Sequence, residues 1–506
     1  MRTFFNLLAL LVVVLAVAAG IKTELTPSRQ LVVAPVKPAA LDGDAAAQRL
    51  GGAVRFKTLS TLDATQPAAA EFEGLHEHLK ASFPRVHAVL AREVVGGLTL
   101  VYTWPGSDPK APGIGLLAHQ DVAPIAPGTE GDWQQAPFSG AVTGGFVWGR
   151  GAWDDKGNLM SMFEAVEGLL AAGFRPRQTV YLVFGHDEEV GGPHGAMEVA
   201  RLFKERGIRL DFVIDEGLLI IEGVLKGLSR PAALVGVAEK GFVTLQLTAT
   251  ATPGHSSMPP AVAEQSAIGM LSAALARLER HPMAASIDGV PRAMFEALAP
   301  EMDGFNRVAL SNLWLLEPII GRELLKAPST AAMIRTTTAL TLFNAGVAEN
   351  VLPGKAKASV NFRMAPGDSS DAVVAHVKRV IDNPAITIEK APWVSEASRV
   401  ASTDANGYRL IHKTIRQLHP DVVVAPGMML GGTDSRHFES VADTIYKFSP
   451  VRATSEDLKR FHGTNERISI ANYVELIQFY RQLLVNSVPA PRALSAAPPI
   501  SQGALP

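Results

Sequence analysis

His119 and Asp121 stand where a short apolar run, GLLAHQD (residues 115–121), breaks into polar residues. Residues two apart on a strand share a face, so imidazole and carboxylate leave the strand end together. A metal-ligating histidine is held in this way, the acid fixing the ring's orientation and tautomer. Alone the pair is unspecific, because His-x-Asp also caps strands and satisfies turns. Three further acidic steps extend it. The stretch WGRGAWDDKG (residues 148–157) has glycines at 149 and 151 for a tight turn, then Asp154 and Asp155 at a helix start, where they could also be simple caps. The apolar run Thr179 to Phe184 delivers Glu188 and Glu189 beside Gly191 and Gly192; one glutamate can bind metal while the other stays free as a base. Phe212 to Ile214 ends in Asp215 and Glu216. The chain has no cysteine, so thiolate sites and disulfides are excluded and any metal rests on His, Asp and Glu.

The elements that must carry these side chains are legible in the spacing. Gly115 to His119, Thr179 to Phe184 and Phe212 to Ile214 read as strands. Between them, Leu159, Met162, Phe163, Val166, Leu169 and Leu170 mark one helix and Ala196 to Arg206 another. Three strands with helical crossovers, each ending in acids, predict an open α/β sheet with its ligand site at the strands' C-terminal ends. After Leu234 the order becomes strand (Lys240 to Ala251), helix (Ala263 to Leu278), two strands (within 332–361), helix (Asp371 to Ile381) and strand (Ile386 to Lys390). That order fits a split βαβ domain inserted into the first. Segment 285–330, apolar and extra to it, reads as plain packing in preference to lid elaboration or a lipophilic wall.

At 506 residues two domains are the default, and a formal net charge of −2 leaves no basic footprint for nucleic acid. The apolar run Phe4 to Ala19 after Arg2 reads as a signal peptide or membrane anchor, so the body is expected outside the cytoplasm: secreted, periplasmic or anchored. His76, His78 and His87 read as surface or core histidines, and His186, His194 and His437, beside the motifs, as structural residues or supports of the site's side chains. No G-x-G-x-x-G marks a dinucleotide site, and no G-x-S-x-G elbow marks a serine hydrolase.

The segments LLAHQDVAP, GRGAWDDKG, GHDEEVGG, VIDEG, PGHSS, NFRMAPG, GGTDSR and KRFHGTNE, in this order, together resemble the dinuclear zinc peptidases and aminoacylases that include carboxypeptidase S. They are most similar to its extracellular N-fatty-acyl amino acid hydrolase/synthase branch. The resemblance implies two Zn²⁺ per subunit, with Co²⁺ or Mn²⁺ also fitting the donor set. His119 and Asp215 would bind the first ion, with Glu216 beside Asp215 as the alternative. Asp154 would bridge both ions through an Asp154–Asp155 cis peptide, and Glu189 and His462 would bind the second. Asp121 would orient His119, and Glu188 would be the general base taking a proton from an acidified water. On the inserted domain, His255 would stabilise the oxyanion from the other subunit of a homodimer, beside Asn350. Arg363 and Arg436 would grip a substrate carboxylate.

The expected architecture is therefore α/β: a doubly wound mixed-sheet catalytic domain with an inserted ferredoxin-like (βαββαβ) lid and dimerisation domain. Its expected parts are 1–20 signal or anchor, 21–43 linker, 44–234 catalytic, 235–393 lid, 394–487 catalytic, and 488–506 a disordered tail. The expected reaction is hydrolysis of an amide on the N-side of an amino acid with a free carboxylate. The strings AEKGFV, PGHSSMPP and IRTTTALT favour a long N-acyl group; a carboxypeptidase or dipeptidase is the alternative. A non-catalytic secreted binding protein, the remaining reading, predicts erosion at the base or ligands, and none has occurred.

Overall fold

Period-two alternation decides which layer each central residue faces. Along the strand Gly113–His119, Ile114, Leu116 and Ala118 pack into one core and Leu117 into another. In Val180–Gly185 the same split separates Val180, Leu182 and Phe184 from Val183. The computed structural model describes residues 1–61 and 68–488. These two strands lie inside an eight-stranded mixed sheet. Its order is Ala91–Val95, Thr99–Trp104, Val180–Gly185, Gly113–His119, Leu210–Ile221, Ala442–Ala453, Ala232–Glu239 and Val423–Met429. The strand Gly113–His119 runs parallel to both neighbours, the arrangement that requires crossover helices. Helices Gly43–Val54, Lys156–Ala171 and Ile470–Asn486 cover one face, and Ala196–Glu205 covers the other.

The second sheet has four antiparallel strands ordered Thr337–Ala345, Lys355–Met364, Gly241–Thr250 and Ile386–Ser395. Val243, Leu245, Leu247 and Ala249 alternate inward against helices Ala267–Arg280 and Ser370–Ile381. Ser266 and Ser369 cap those helices, their hydroxyls accepting from Gly269 N and Ala372 N at 3.1 Å each. Chain order strand-helix-strand-strand-helix-strand with this pairing is the ferredoxin-like arrangement.

Three placements differ from the sequence reading. The strand Ala232–Glu239 pairs within the large sheet, so the inserted layer starts at Gly241 and not at 235. Segment 285–330 forms helices Val290–Leu298, Gly304–Ser311 and Leu313–Leu324, outside the inserted sheet. Met294, Phe295, Leu298 and Met302 pack there with Val423 and Ala425, covering the edge strand of the large sheet. Residues 21–43 are not a free tether: the first helix runs to Leu25, and the Gln30 amide bonds both Val424 N (2.7 Å) and Val424 O (2.9 Å). The tail expected to be disordered falls, beyond Val488, outside the described residues.

Candidate metal centre

Strand register gathers the acids. His119 is paired with Gly185 on the neighbouring parallel strand, so the chain carrying Glu188 and Glu189 leaves the sheet beside His119. Asp121, fully buried, joins the two segments: its carboxylate accepts from Glu188 N (3.2 Å), Glu189 N (3.1 Å) and Ser60 Oγ (2.6 Å). The His119 Nδ1 lies 2.9 Å from the Asp121 carbonyl oxygen, an acceptor only, and 3.3 Å from its Oδ1. Nδ1 therefore carries the hydrogen, and Nε2 is directed at Asp154 and Glu216.

Two ligand groups share one carboxylate. His119 Nε2 stands 3.0 Å from Asp154 Oδ1 and 3.4 Å from Glu216 Oε1. His462 Nε2 stands 2.6 Å from Asp154 Oδ2 and 3.3 Å from Glu189 Oε1. Within each group the donor atoms lie within 4.8 Å of one another. Glu189 Oε1 is buried and accepts no hydrogen bond, as expected of an atom whose partner is a cation. An all-N/O donor set with one bridging carboxylate fits a pair of divalent ions of the zinc type.

Asp215 is not in this cluster, contrary to the assignment that put it on the first ion. Its carboxylate turns to Ser435 N (2.8 Å) and Glu216 N (2.9 Å), and Glu216 takes the place beside His119. A bulge is the cause. Across the sheet Lys447 pairs with Asp215 but Phe448 pairs with Leu218, leaving Glu216 and Gly217 unpaired. Gly217 adopts φ +145°, and a Cβ there would lie 2.7 Å from Lys447 Cβ, so glycine permits the bulge that re-aims Glu216.

The loop bearing Asp154 is tied to the loop bearing His462 by residues that the sequence reading passed over. Glu466, fully buried, accepts from Gly151 N (2.9 Å), Trp153 N (3.0 Å) and Asp154 N (3.2 Å). Its other oxygen takes Arg150 Nη1 at 2.5 Å, and Arg150 Nη2 donates to His462 O at 2.9 Å. The Asp154–Asp155 peptide is cis, and Asp155 Oδ2 accepts from His119 N (3.2 Å). Asp434 was also passed over. It is buried with neither oxygen hydrogen-bonded, in a space that exists because residues 185 and 192 are glycines, where a Cβ would collide with it. Both acids lie inside the quoted motifs, but no spacing rule distinguishes them from exposed acids.

The carboxylates set the titration of the site. The adjacent carboxylates of Asp154 and then Glu189 push His462 up to about 10. Burial alone would lower His119, but Glu216, Asp121 and Asp154 outweigh it and hold it well above the usual imidazole range. Burial, reinforced by the Asp154 charge, takes Glu216 up to about 8. Burial likewise holds Glu188 well above the carboxylate range; His119 opposes this, while Glu216, Asp434 and Asp121 add to it.

A cleft of about 870 Å³ joins the cluster to the inserted layer; its polar lining includes Glu188, Glu189, His462, Arg363 and Arg436. The Arg436 side chain has no hydrogen-bond or ion-pair partner among the described residues, and Arg363 sits 5.6 Å from the Phe242 ring. Desolvation, then the Arg436 charge, lowers Arg363, the mark of two cations facing one space. No residue of segment 285–330 lines this cleft. His255 and Asn350 lie elsewhere, exposed on a two-stranded ribbon of Gly254–His255 with Val351–Leu352. The His255 ring bonds to Ser257 Oγ (2.8 Å), not to any group of the metal cluster.

A donor cluster built around one shared carboxylate at the C-terminal edge of a mixed α/β sheet, beside a ferredoxin-like layer, defines a two-domain metallohydrolase. Residues 115–486 match the model of Peptidase family M20/M25/M40, and the chain belongs to that family. It is 42% identical over 445 residues to the probable carboxypeptidase S-like 2 of Dictyostelium discoideum, covering 87% of this chain and 85% of that protein. It is 40% identical over 443 residues to the N-fatty-acyl-amino acid synthase/hydrolase PM20D1 of Xenopus tropicalis, covering 87% and 85%. The fold is similar to that of the M20 family metallo-carboxypeptidase Sso-CP2 from Sulfolobus solfataricus. The TM-score is 0.65 at 18% identity, over 87% of this chain and 99% of that one.

Proposed function

We propose that the chain is a dinuclear zinc hydrolase that cleaves the amide of an N-acyl amino acid bearing a free carboxylate, with a long apolar acyl group preferred. One observation carries the reading: the cleft that reaches Glu189 and His462, two of the residues around the shared Asp154, also holds Arg363 and Arg436, neither of them in an ion pair among the described residues. His119, Asp154 and Glu216 would hold one ion, and Asp154, Glu189 and His462 the other. When bound, the ions supply Lewis-acid polarisation of a water and of the amide carbonyl.

The chain's own residues do the rest. Arg363 and Arg436 bind the substrate carboxylate, which fixes the amide over the cluster. Glu188 accepts the proton of the attacking water and returns it to the leaving amine nitrogen. Asp121 holds the Glu188 and Glu189 amides and the His119 ring, so base and ligands keep their spacing. Val190, Met197, Phe242, Trp393 and Val394 give the cleft an apolar wall on which an acyl chain can lie.

His255 would act on the oxyanion from a second copy of the chain, with Asn350 beside it. The exposed ribbon that carries both supports this, as does the edge strand Thr337–Ala345, which leaves Leu342 and Phe343 in solvent. The N-terminal helix Arg2–Leu25, long and apolar enough to cross a membrane, would place the catalytic body outside the cytoplasm.

The two relatives' names differ in substrate, one a carboxypeptidase and the other an acyl-amino acid enzyme. The test is turnover of the zinc-loaded full chain on oleoyl-phenylalanine, acetyl-phenylalanine and glycyl-leucine. Preference for the oleoyl compound is expected; preference for the dipeptide would make the chain a peptide-scavenging enzyme. Near-zero zinc in a folded preparation would instead revive the non-catalytic binding protein.

A further inference from the structure

The apolar N-terminal helix is fixed to the body. Arg2–Leu25 leaves Phe4, Leu7, Leu11, Val13 and Val17 in the open, yet its last turns bury Ala19 and Thr23. Both meet Asn312, whose side chain donates to Ala19 O (3.1 Å) and Thr23 Oγ1 (2.9 Å) and accepts from Trp314 Nε1 (3.0 Å). Lys22 Nζ lies 5.8 Å from the Trp314 ring centre. Downstream, Arg29 pairs with Glu296 at 2.7 Å, and Gln30 bonds both backbone groups of Val424.

The helices that receive this turn, Gly304–Ser311 and Leu313–Leu324, present their own apolar surface. Phe305 is 76% exposed, Trp314 51% and Ile319 62%. We propose that the first helix remains on the mature protein and crosses the bilayer, and that Phe305, Trp314 and Ile319 rest on the same bilayer, seating the enzyme in one orientation. This rests on reading the first helix as an export or anchor segment, and is independent of the chemistry proposed for the cleft.

A bilayer fits this surface better than a second copy of the chain does. The uncharged stretch, residues 3–21, spans about 28 Å at 1.5 Å each, close to a ~30 Å hydrocarbon layer. No charge stands between Arg2 and Lys22, and the apolar residues run round every side of the helix. A lysine against a tryptophan where the helix meets the body is the pairing that membrane–water interfaces favour. The cover needed by the helix and by the adjoining patch is thus one lipid surface.

Because the chain has no cysteine, single cysteines report unambiguously. Val13→Cys, Phe305→Cys, Ile319→Cys and, as a solvent control on the inserted layer, Val347→Cys would be nitroxide-labelled in the full chain. Val347 is 94% exposed. Each is reconstituted in phosphatidylethanolamine/phosphatidylglycerol vesicles, and accessibility to oxygen is compared with that to a nickel chelate. Labels at 13, 305 and 319 should show a higher oxygen-to-nickel ratio than the label at 347, in a protein whose intact mass retains residues 2–25. Lipid at 13 with water at 305 and 319 would overturn the seating and leave a flexible anchor. Protection of 305 and 319 from both reagents would overturn it in favour of a second copy, and water at all three, or loss of the first helix, would overturn it entirely. Turnover of the same preparations is read separately, so failure here leaves the catalytic proposal standing and failure there leaves this one.

Discussion

Replacing Glu216 by Gln should empty one metal site while leaving the other. Glu216 Oε1 is one of three donors around the first position, 3.4 Å from His119 Nε2. Zinc held by four protein ligands is bound by about 10–16 kcal/mol, or about 2.5–4 kcal/mol per ligand. Loss of one donor then weakens the first site about 100- to 1,000-fold. Among the described residues Asp215 meets the cluster through the Glu216 amide, its other backbone bond going to Ser435 N, and Asn keeps an acceptor oxygen for that 2.8 Å bond. Asp215→Asn should therefore cost about 10- to 100-fold, the range for residues that orient ligands. Asp154→Asn should weaken both sites, because its two oxygens serve different groups. The assay is metal per chain by elemental analysis after gel filtration in metal-free buffer, with titration calorimetry for the affinities. Expected counts are about two for the parent and Asp215→Asn, and about one for Glu216→Gln. If Asp215→Asn retains one ion and Glu216→Gln two, the bulge argument is refuted.

Glu188→Gln should keep both metals and lose about three orders of magnitude or more in kcat, a tenfold loss or less being incompatible with a general base. Arg436→Ala should lower kcat/KM about 10- to 100-fold for N-acyl amino acids, since one charge-assisted bond is worth about 1.5–3 kcal/mol. The corresponding amides, lacking the carboxylate, should be affected little, and an equal loss on both would remove Arg436 from recognition. Stability should depend on pH differently with and without metal. His462, pushed up to about 10 by Asp154 and Glu189, stabilises the chelated protein fully below the unfolded value near 6.5, and loses that contribution as pH rises through about 10. The metal-loaded protein, with His462 neutral, lacks this dependence. The melting-temperature gap between loaded and chelated protein should therefore widen from pH 6.5 to 9, and loading at pH 7.5 should release protons, measurable in buffers of different ionisation enthalpy.

Much of the centre was legible because its signals are local. An apolar run of strand length that breaks into His-x-Asp, Glu-Glu or Asp-Glu announces a strand's C-terminal end, and the absence of cysteine restricts the donors to N and O. Strand and helix order likewise gave the ferredoxin-like layer, since each element carries its own periodicity. The Arg150–Glu466 tie and the buried Asp434 were not legible, because burial of an acid depends on chain distant in sequence, here 316 residues away for the first pair.

What the sequence by itself determined is the kind of chemistry and the kind of fold: donor types, strand ends and crossover order. Only the tertiary structure decided between adjacent candidates. Asp215 and Glu216 are both carboxylates at one strand end, and composition cannot separate them. The bulge opposite Lys447 and Phe448 separates them, turning Glu216 toward His119 and Asp215 toward Ser435. The same holds for residues 21–43, whose prolines suggest a loose tether until Gln30 meets the edge of the strand Val423–Met429. In both places the deciding quantity is register against a partner strand or edge far along the chain, and register is set by packing, not by local spacing.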